Sequence, residues 1–162
     1  MMRRIKSAGV YPWRVCAAVL ALSLLSACAA TVELAAPAAD QAAKTFAPTA
    51  GMANIYVIRE DRFTGSAVLF QLIVDQSVIG GLAPGTYHLM LVAPGPHTVS
   101  VTTSENQSMQ QIDAVAGQSY FFEVKPRMGL VAARVEVTAM TAADGRAAVA
   151  ANFLAQGIAG TN

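Results

Sequence analysis

The chain has 162 residues but only two cysteines, Cys16 and Cys28, both within its first 28 positions. Everything after Cys28 lacks a thiol, which excludes disulfides, thiolate catalysis and cysteine-ligated metal from that part. Histidine is scarce as well. His88 and His97 are nine positions apart, with no His-Glu-x-x-His arrangement, so they bind a divalent ion only if folding brings a carboxylate to them. Also missing are a Gly-x-x-x-x-Gly-Lys phosphate loop, a Gly-x-Gly-x-x-Gly turn and a Gly-x-Ser-x-Gly elbow. Neither nucleotide binding nor a serine nucleophile is indicated, and no cofactor or metal is expected. No long repeat is present.

A bilayer-spanning run is lacking too. The apolar stretch from Val15 to Ala30 is shorter than the roughly 20 residues a membrane helix needs, and Ser23 and Ser26 interrupt it. What surrounds it is more specific. Arg3, Arg4, Lys6 and Arg14 form a basic region, Val15 to Leu25 an apolar one, and Leu25-Ser26-Ala27-Cys28 closes it. This arrangement resembles a bacterial lipoprotein signal, with residues 1–27 removed and Cys28 lipidated. Ordinary secretory cleavage is the rival, since Ala27-Cys28-Ala29 also satisfies a small-x-small rule. The resemblance implies a thioether-linked diacylglycerol on Cys28 and an acylated amine, enough chains for stable membrane attachment. Ala29, in place of Asp, implies passage to the outer membrane of a two-membrane envelope.

Removal of that segment changes the charge. The whole chain has 11 Lys and Arg against 10 Asp and Glu, a net charge of +1. Four of the bases precede Cys28, which leaves a mildly acidic remainder and argues against a nucleic-acid partner. Residues 28–51 are rich in Ala, Pro, Thr and Gln, with Pro37 and Pro48 among them. They read as a tether, although Val32 to Thr45 is compatible with a short helix. A flexible chain of this length spans about 25 Å, enough to lift a domain off lipid headgroups.

From Ala53 the pattern becomes short β-rich runs between turns. Strands are expected at Ala53–Glu60, Ser66–Asp75, Ser77–Leu82, Gly85–Val92, Thr98–Thr103, Met109–Val115, Ser119–Lys125 and Leu130–Thr138. Pro84-Gly85 and Pro94-Gly95-Pro96 mark turns. The expected fold class is all-β: a small antiparallel sandwich of 7–8 strands over residues 52–138. Residues 139–162 supply a short C-terminal helix, placed within Arg146–Ala155 after an Asp144-Gly145 break, and a tail.

Several pieces then fall into a familiar order: Ala53-x-Ile55-Tyr56-x-x-Arg59, Val74-Asp75, Ile79-Gly80-x-Leu82, Gly85-Thr86-Tyr87, Pro94-Gly95-x-His97, Gly117-Gln118-x-Tyr120 and Gly145-Arg146. Together they resemble bacterial lipoproteins carrying domain of unknown function 2846. Parts also resemble the β-rich surface modules named for a Pro-Glu-Gly-Ala motif. The resemblance implies a compact β-domain on an envelope lipoprotein and supplies no catalytic residues. One departure stands at Asp75-Gln76-Ser77, where the family has an Asp-Gly type hairpin turn. Gln76 lacks glycine's freedom at positive φ, so a different or longer turn is expected there.

The favoured function is a non-enzymatic binding or structural role in the cell envelope. The membrane is engaged through lipid on Cys28, and an envelope protein or glycan is the further partner. Candidate binding residues are His97, Tyr87 and Arg59. Tyr56, Tyr87 and Tyr120 are expected to bury their rings and keep their hydroxyls near polar acceptors. The alternative is a small hydrolase or metal-dependent enzyme, which requires His97, His88 and Asp75 to converge in a pocket.

Overall fold

The computed structural model describes residues 29–157; the expected signal segment, residues 1–27, and Cys28 lie outside the described residues. A short helix, α1 (Pro37–Ala43), precedes eight strands: β1 (Ala53–Arg59), β2 (Phe70–Val74), β3 (Ser77–Leu82), β4 (Thr86–Val92), β5 (Gly95–Thr102), β6 (Gln107–Ala114), β7 (Ser119–Arg127) and β8 (Arg134–Ala139). Helix α2 (Ala142–Ala151) and a two-residue strand, β9 (Phe153–Leu154), complete it. The all-β expectation therefore holds, with one difference in pairing. The four-stranded sheet, ordered β3-β2-β5-β6, is antiparallel, whereas the five-stranded sheet, ordered β8-β7-β1-β4-β9, is mixed. In the larger sheet β1 pairs in parallel with β7, and β4 with β9.

Alternation of side chains along β1 builds two cores. Ala53, Ile55 and Val57 point between the sheets and pack with Phe70, Leu72, Val99, Val101, Phe122 and Val124. Tyr56 and Ile58 point outward, yet they are fully buried because a second cluster covers them. That cluster contains Tyr87, Phe121 and Val149, with Phe46 packed against it. Tyr56 stacks on Phe121 at 5.0 Å between centroids, and Phe46 closes on Tyr56 at 5.5 Å. The molecule is thus three-layered: small sheet, large sheet, helical cover.

The cover corrects the expectation of a free tether over residues 28–51. The chain from Ala30 to Ala36 is strapped along β9: the Ala35 amide donates to Leu154 O (2.9 Å), the Gln156 amide to Glu33 O (2.9 Å), and Leu34 bridges Ala155. Helix α1 then sits on the outer face through Asp40. Its carboxylate accepts from the Tyr87 hydroxyl (2.8 Å), the Leu154 amide (2.9 Å) and the Lys44 ammonium (2.8 Å). Burial alone would raise the Asp40 pKa, but these three donors more than offset it and hold the carboxyl below its usual range. Composition suggested a linker because Ala and Pro carry little apolar signal; the binding groups are the one carboxylate and the backbone.

Two further expectations are corrected. Helix α2 starts at Ala142, not Arg146, with Thr141 as its N-cap, accepting from the Asp144 amide. The Asp144-Gly145 pair lies inside it, because a Cβ on Gly145 would overlap the buried Phe121 side chain. Glycine here marks close packing of helix on sheet, not a break. The β2–β3 connection is a two-residue hairpin after all. Val74 pairs with Ser77, and Asp75 and Gln76 have φ of 48° and 68°. The neighbouring strand imposes this shape: the Asp75 amide donates to Thr98 O (3.0 Å), and Asp75 Oδ1 accepts from the Thr98 amide (2.8 Å). Left-handed backbone at Gln76 costs about 1 kcal/mol, which these bonds offset.

Gly145→Ala is expected to lower stability by about 1–3 kcal/mol, as overpacking does, despite alanine's better helix propensity; a urea melt measures it, and a stabilised variant would contradict the close-packing account. Asp40→Ala is expected to cost about 2–3 kcal/mol by stranding the Tyr87 hydroxyl and the Leu154 amide. Because the Asp40 pKa is lowered on folding, its contribution is present above about pH 4 and fades as pH falls through the folded value. Wild type minus variant stability, followed from pH 7 downward, should shrink accordingly.

Candidate functional site

The strand directions divide the loops between two ends of the sandwich. At one end lie the turns following β2, β4 and β6; at the other lie those following β1, β3, β5 and β7. His97 and Asp75 occupy the first of these ends. His97 Nδ1 is 2.5 Å from Asp75 Oδ2, and Nε2 is 2.7 Å from Ala93 O. Both partners are acceptors, an arrangement that favours the doubly protonated imidazolium. Burial disfavours that charge, but the Asp75 carboxylate and the Ala93 carbonyl outweigh it and raise the His97 pKa above its ordinary range. The Asp75 carboxyl is in turn held low: burial raises it, while His97 and the Thr98 amide lower it by more.

Beside this pair is a shallow depression lined by Pro96, His97, Thr98, Gln111, Ile112 and Asp113. His97 contributes to its wall, with both ring nitrogens engaged by Asp75 and Ala93 O. What the arrangement does is mechanical. It fastens the β2–β3 turn to the β4–β5 turn, at the open end of the small sheet.

His88 does not join it. It lies on β4 in the large sheet, is 2% exposed, and donates from Nε2 to Gly81 O at 2.8 Å. Burial pushes its pKa down, so it is neutral. Of the three residues needed for a hydrolytic or metal site, the fold therefore brings two together and leaves His88 apart. Among the described residues no group of three or more His, Cys, Asp and Glu side chains is placed to hold a metal ion.

Two candidate binding residues are corrected by burial. Tyr87 is 0% exposed, and its hydroxyl belongs to the Asp40 network. Arg59 is 1% exposed at the end of β1. Its Nη1 donates to Val68 O (2.6 Å) and Leu82 O (2.8 Å), its Nη2 to Gly65 O (2.7 Å), and its guanidinium lies 4.1 Å from the Phe70 ring centroid. Burial lowers its pKa to about 10, so it keeps its charge and shares it among three carbonyls. Arg59 thereby shapes the β1–β2 loop. The reason sequence reading misplaced it is that an arginine ending a strand, before Glu60-Asp61-Arg62, looks like part of a solvated charge cluster. Parity was the available signal: Ala53, Ile55, Val57 and Arg59 share one face.

Residues 49–137 match the family described as protein of unknown function (DUF2846). The chain belongs to this family. The matched span runs from just before β1 nearly to the end of β8, so it covers the small sheet and most of the large one and leaves out the strap, α1, α2 and β9. A relative in Haemophilus influenzae, described as an uncharacterized protein, is 26% identical over 134 residues, covering 82% of this chain and 79% of its own length. That alignment reaches beyond the family span. No solved structure matches the chain.

The sequence-predicted family residues now have structural duties. Tyr120 is half-buried, its hydroxyl donating to Asp113 O (3.2 Å) and accepting from the Val115 amide (3.0 Å), and Tyr56 donates to Ala43 O (2.8 Å). Asp75→Asn is expected to lower the His97 pKa, because burial is then opposed by the Ala93 carbonyl without the carboxylate. The sign for stability follows. The His97 contribution is full below about pH 6.5 and lost as pH rises through its raised folded value; the Asp75 contribution is lost as pH falls through its lowered one. A histidine titration by NMR reads the shift, and an unmoved His97 resonance midpoint would contradict the pairing.

Proposed function

We propose that this protein is a lipid-anchored lipoprotein of the bacterial cell envelope, held through Cys28, whose β-domain has a non-enzymatic binding or structural role. The observation that carries the reading is the N-terminal series of Arg3, Arg4, Lys6 and Arg14, the apolar Val15 to Leu25, and Leu25-Ser26-Ala27-Cys28. Ala29 after the cysteine supports residence on the outer membrane. Among the described residues no helix is long and apolar enough to cross a membrane.

The binding role rests on how the polar groups are used. His97, Asp75, His88 and Arg59 are committed to internal bonds, with both ring nitrogens of His97 already engaged by Asp75 and Ala93 O. The depression beside His97, with Gln111, Asp113 and Thr98 at its wall, offers hydrogen-bonding groups to an envelope protein or glycan. The hydrolase or metal-enzyme reading would need His88 to reach His97 and Asp75.

Replacing Cys28 with Ala tests the anchor. Wild-type protein is expected to stay with salt-washed membranes and to carry the mass of its acyl groups, while Cys28→Ala protein is expected in the soluble envelope fraction. An unmodified Cys28 in the wild type would overturn the reading.

A further inference from the structure

The end of the sandwich opposite His97 is apolar in an unusual way. Phe63 in the β1–β2 loop is 96% exposed, and Met128, Leu130 and Val131 in the β7–β8 loop are 93%, 99% and 95% exposed. The two loops adjoin, because Thr64 and Gly65 share a groove with Pro126 and the Met128–Val131 segment. Four large side chains on two adjoining loops, almost wholly in water, give this end an apolar exposure that soluble surfaces rarely carry without an occupant.

The patch is also held in position. The Glu105 carboxylate accepts from the amides of Leu130 (3.1 Å), Val131 and Ala132 (2.6 Å), so one side chain of the β5–β6 turn fixes the β7–β8 loop. Arg59 fixes the other loop from beneath through Gly65 O and Val68 O. Around the rim the charges are largely paired: Arg62 with Glu60 (2.6 Å) and Glu123 (3.3 Å), Lys125 with Glu123 (2.8 Å), and Arg127 Nε with Glu136 (2.6 Å). The tip is therefore a preformed apolar surface inside a nearly neutral ring.

The place where the strap begins identifies the occupant. The Ala30 amide donates to Ser66 O at 2.8 Å, so the strap starts on the same loop that carries Phe63. Cys28 precedes Ala30 by two residues, and two peptide units reach at most about 7 Å. A lipid on Cys28 thus enters its bilayer within a loop's width of the apolar tip.

We propose that Phe63, Met128, Leu130 and Val131 dock into the surface of the membrane that holds the lipid on Cys28, so that the sandwich stands on its tip with the His97 end facing away. This deepens the lipid-anchor reading and rests on it. The anchor supplies attachment and the tip supplies orientation, with the apolar side chains at the depth where interfacial segments lie.

The sequence permits an optical test, since Trp13 is the sole tryptophan and precedes Cys28. Leu130→Trp and, as the far-end control, Val115→Trp are prepared as full lipidated proteins. Both sites are exposed, so neither variant disturbs a core. Each is placed in vesicles of phosphatidylethanolamine and phosphatidylglycerol, with and without brominated acyl chains, and intact mass confirms the lipid on Cys28. The Leu130→Trp protein is expected to show blue-shifted emission that loses more than half its intensity to brominated lipid, with the Val115→Trp protein unaffected. If the Leu130→Trp protein is lipidated and floats with the vesicles while its emission stays unquenched, the docking is overturned and the anchor stands. Blue-shifted emission from that protein without lipid quenching also overturns the docking, assigning the tip to a second copy of the chain. A Cys28 without lipid overturns the anchor itself, and the docking with it.

Discussion

No residue of β1 is exposed, and that constraint organises the rest of the molecule. A strand buried on both faces needs a layer on each side, yet a four-stranded sheet can cover only one. The second layer is made of segments that look ordinary alone: a seven-residue helix, a ten-residue helix and a strap of irregular chain. The first helix is tied to the large sheet by Asp40, which gathers a tyrosine hydroxyl, a backbone amide and an ammonium around one carboxylate, while the second packs through Gly145 and Val149. That carboxylate joins Phe46, Val149 and the close approach of Gly145 in covering the outward rings of Tyr56, Tyr87 and Phe121.

The sandwich also solves the problem of its open edges by side-chain chemistry. Along β6, Ser108 and Gln110 alternate with outward residues, and Asn106 precedes the strand in the same phase. Asn106 exchanges bonds with Val135 N and O (both 2.8 Å), Ser108 Oγ accepts from the Val137 amide (2.9 Å), and Gln110 donates to Val137 O (3.0 Å). These polar side chains substitute for a missing strand partner on β8, so an edge that would otherwise invite pairing with another chain is closed. The strap does the same for β9 with main-chain bonds.

The all-β class, the approximate strand positions and the roles of Tyr56 and Tyr120 were legible in the sequence, because β-branched and aromatic runs between Pro-Gly turns report half-buried strands directly. The family could be recognised from the order of short motifs such as Gly85-Thr86-Tyr87 and Pro94-Gly95-x-His97. What could not be read were contacts between distant residues. Asp40 lies 47 positions from Tyr87 and 114 from Leu154, and no local pattern announces such a partner. Gln76 adopts a left-handed conformation because Thr98 holds the preceding residue, and Gly145 is required by Phe121 across a layer boundary. Arg59 was misread for a related reason: its charge suggests water, while its phase along β1 places it at the mouth of the core.

The direction of the strap has a mechanical consequence. Its bonds, Ala30 to Ser66, Glu33 to Gln156 and Ala35 to Leu154, are spaced along the line of the chain. A pull applied ahead of Ala30 therefore meets the bond to Ser66 of the β1–β2 loop before it reaches those to β9. Tension arriving from the N-terminal side is thereby taken first by the loop between the two sheets, with the main-chain bonds to β9 standing behind it.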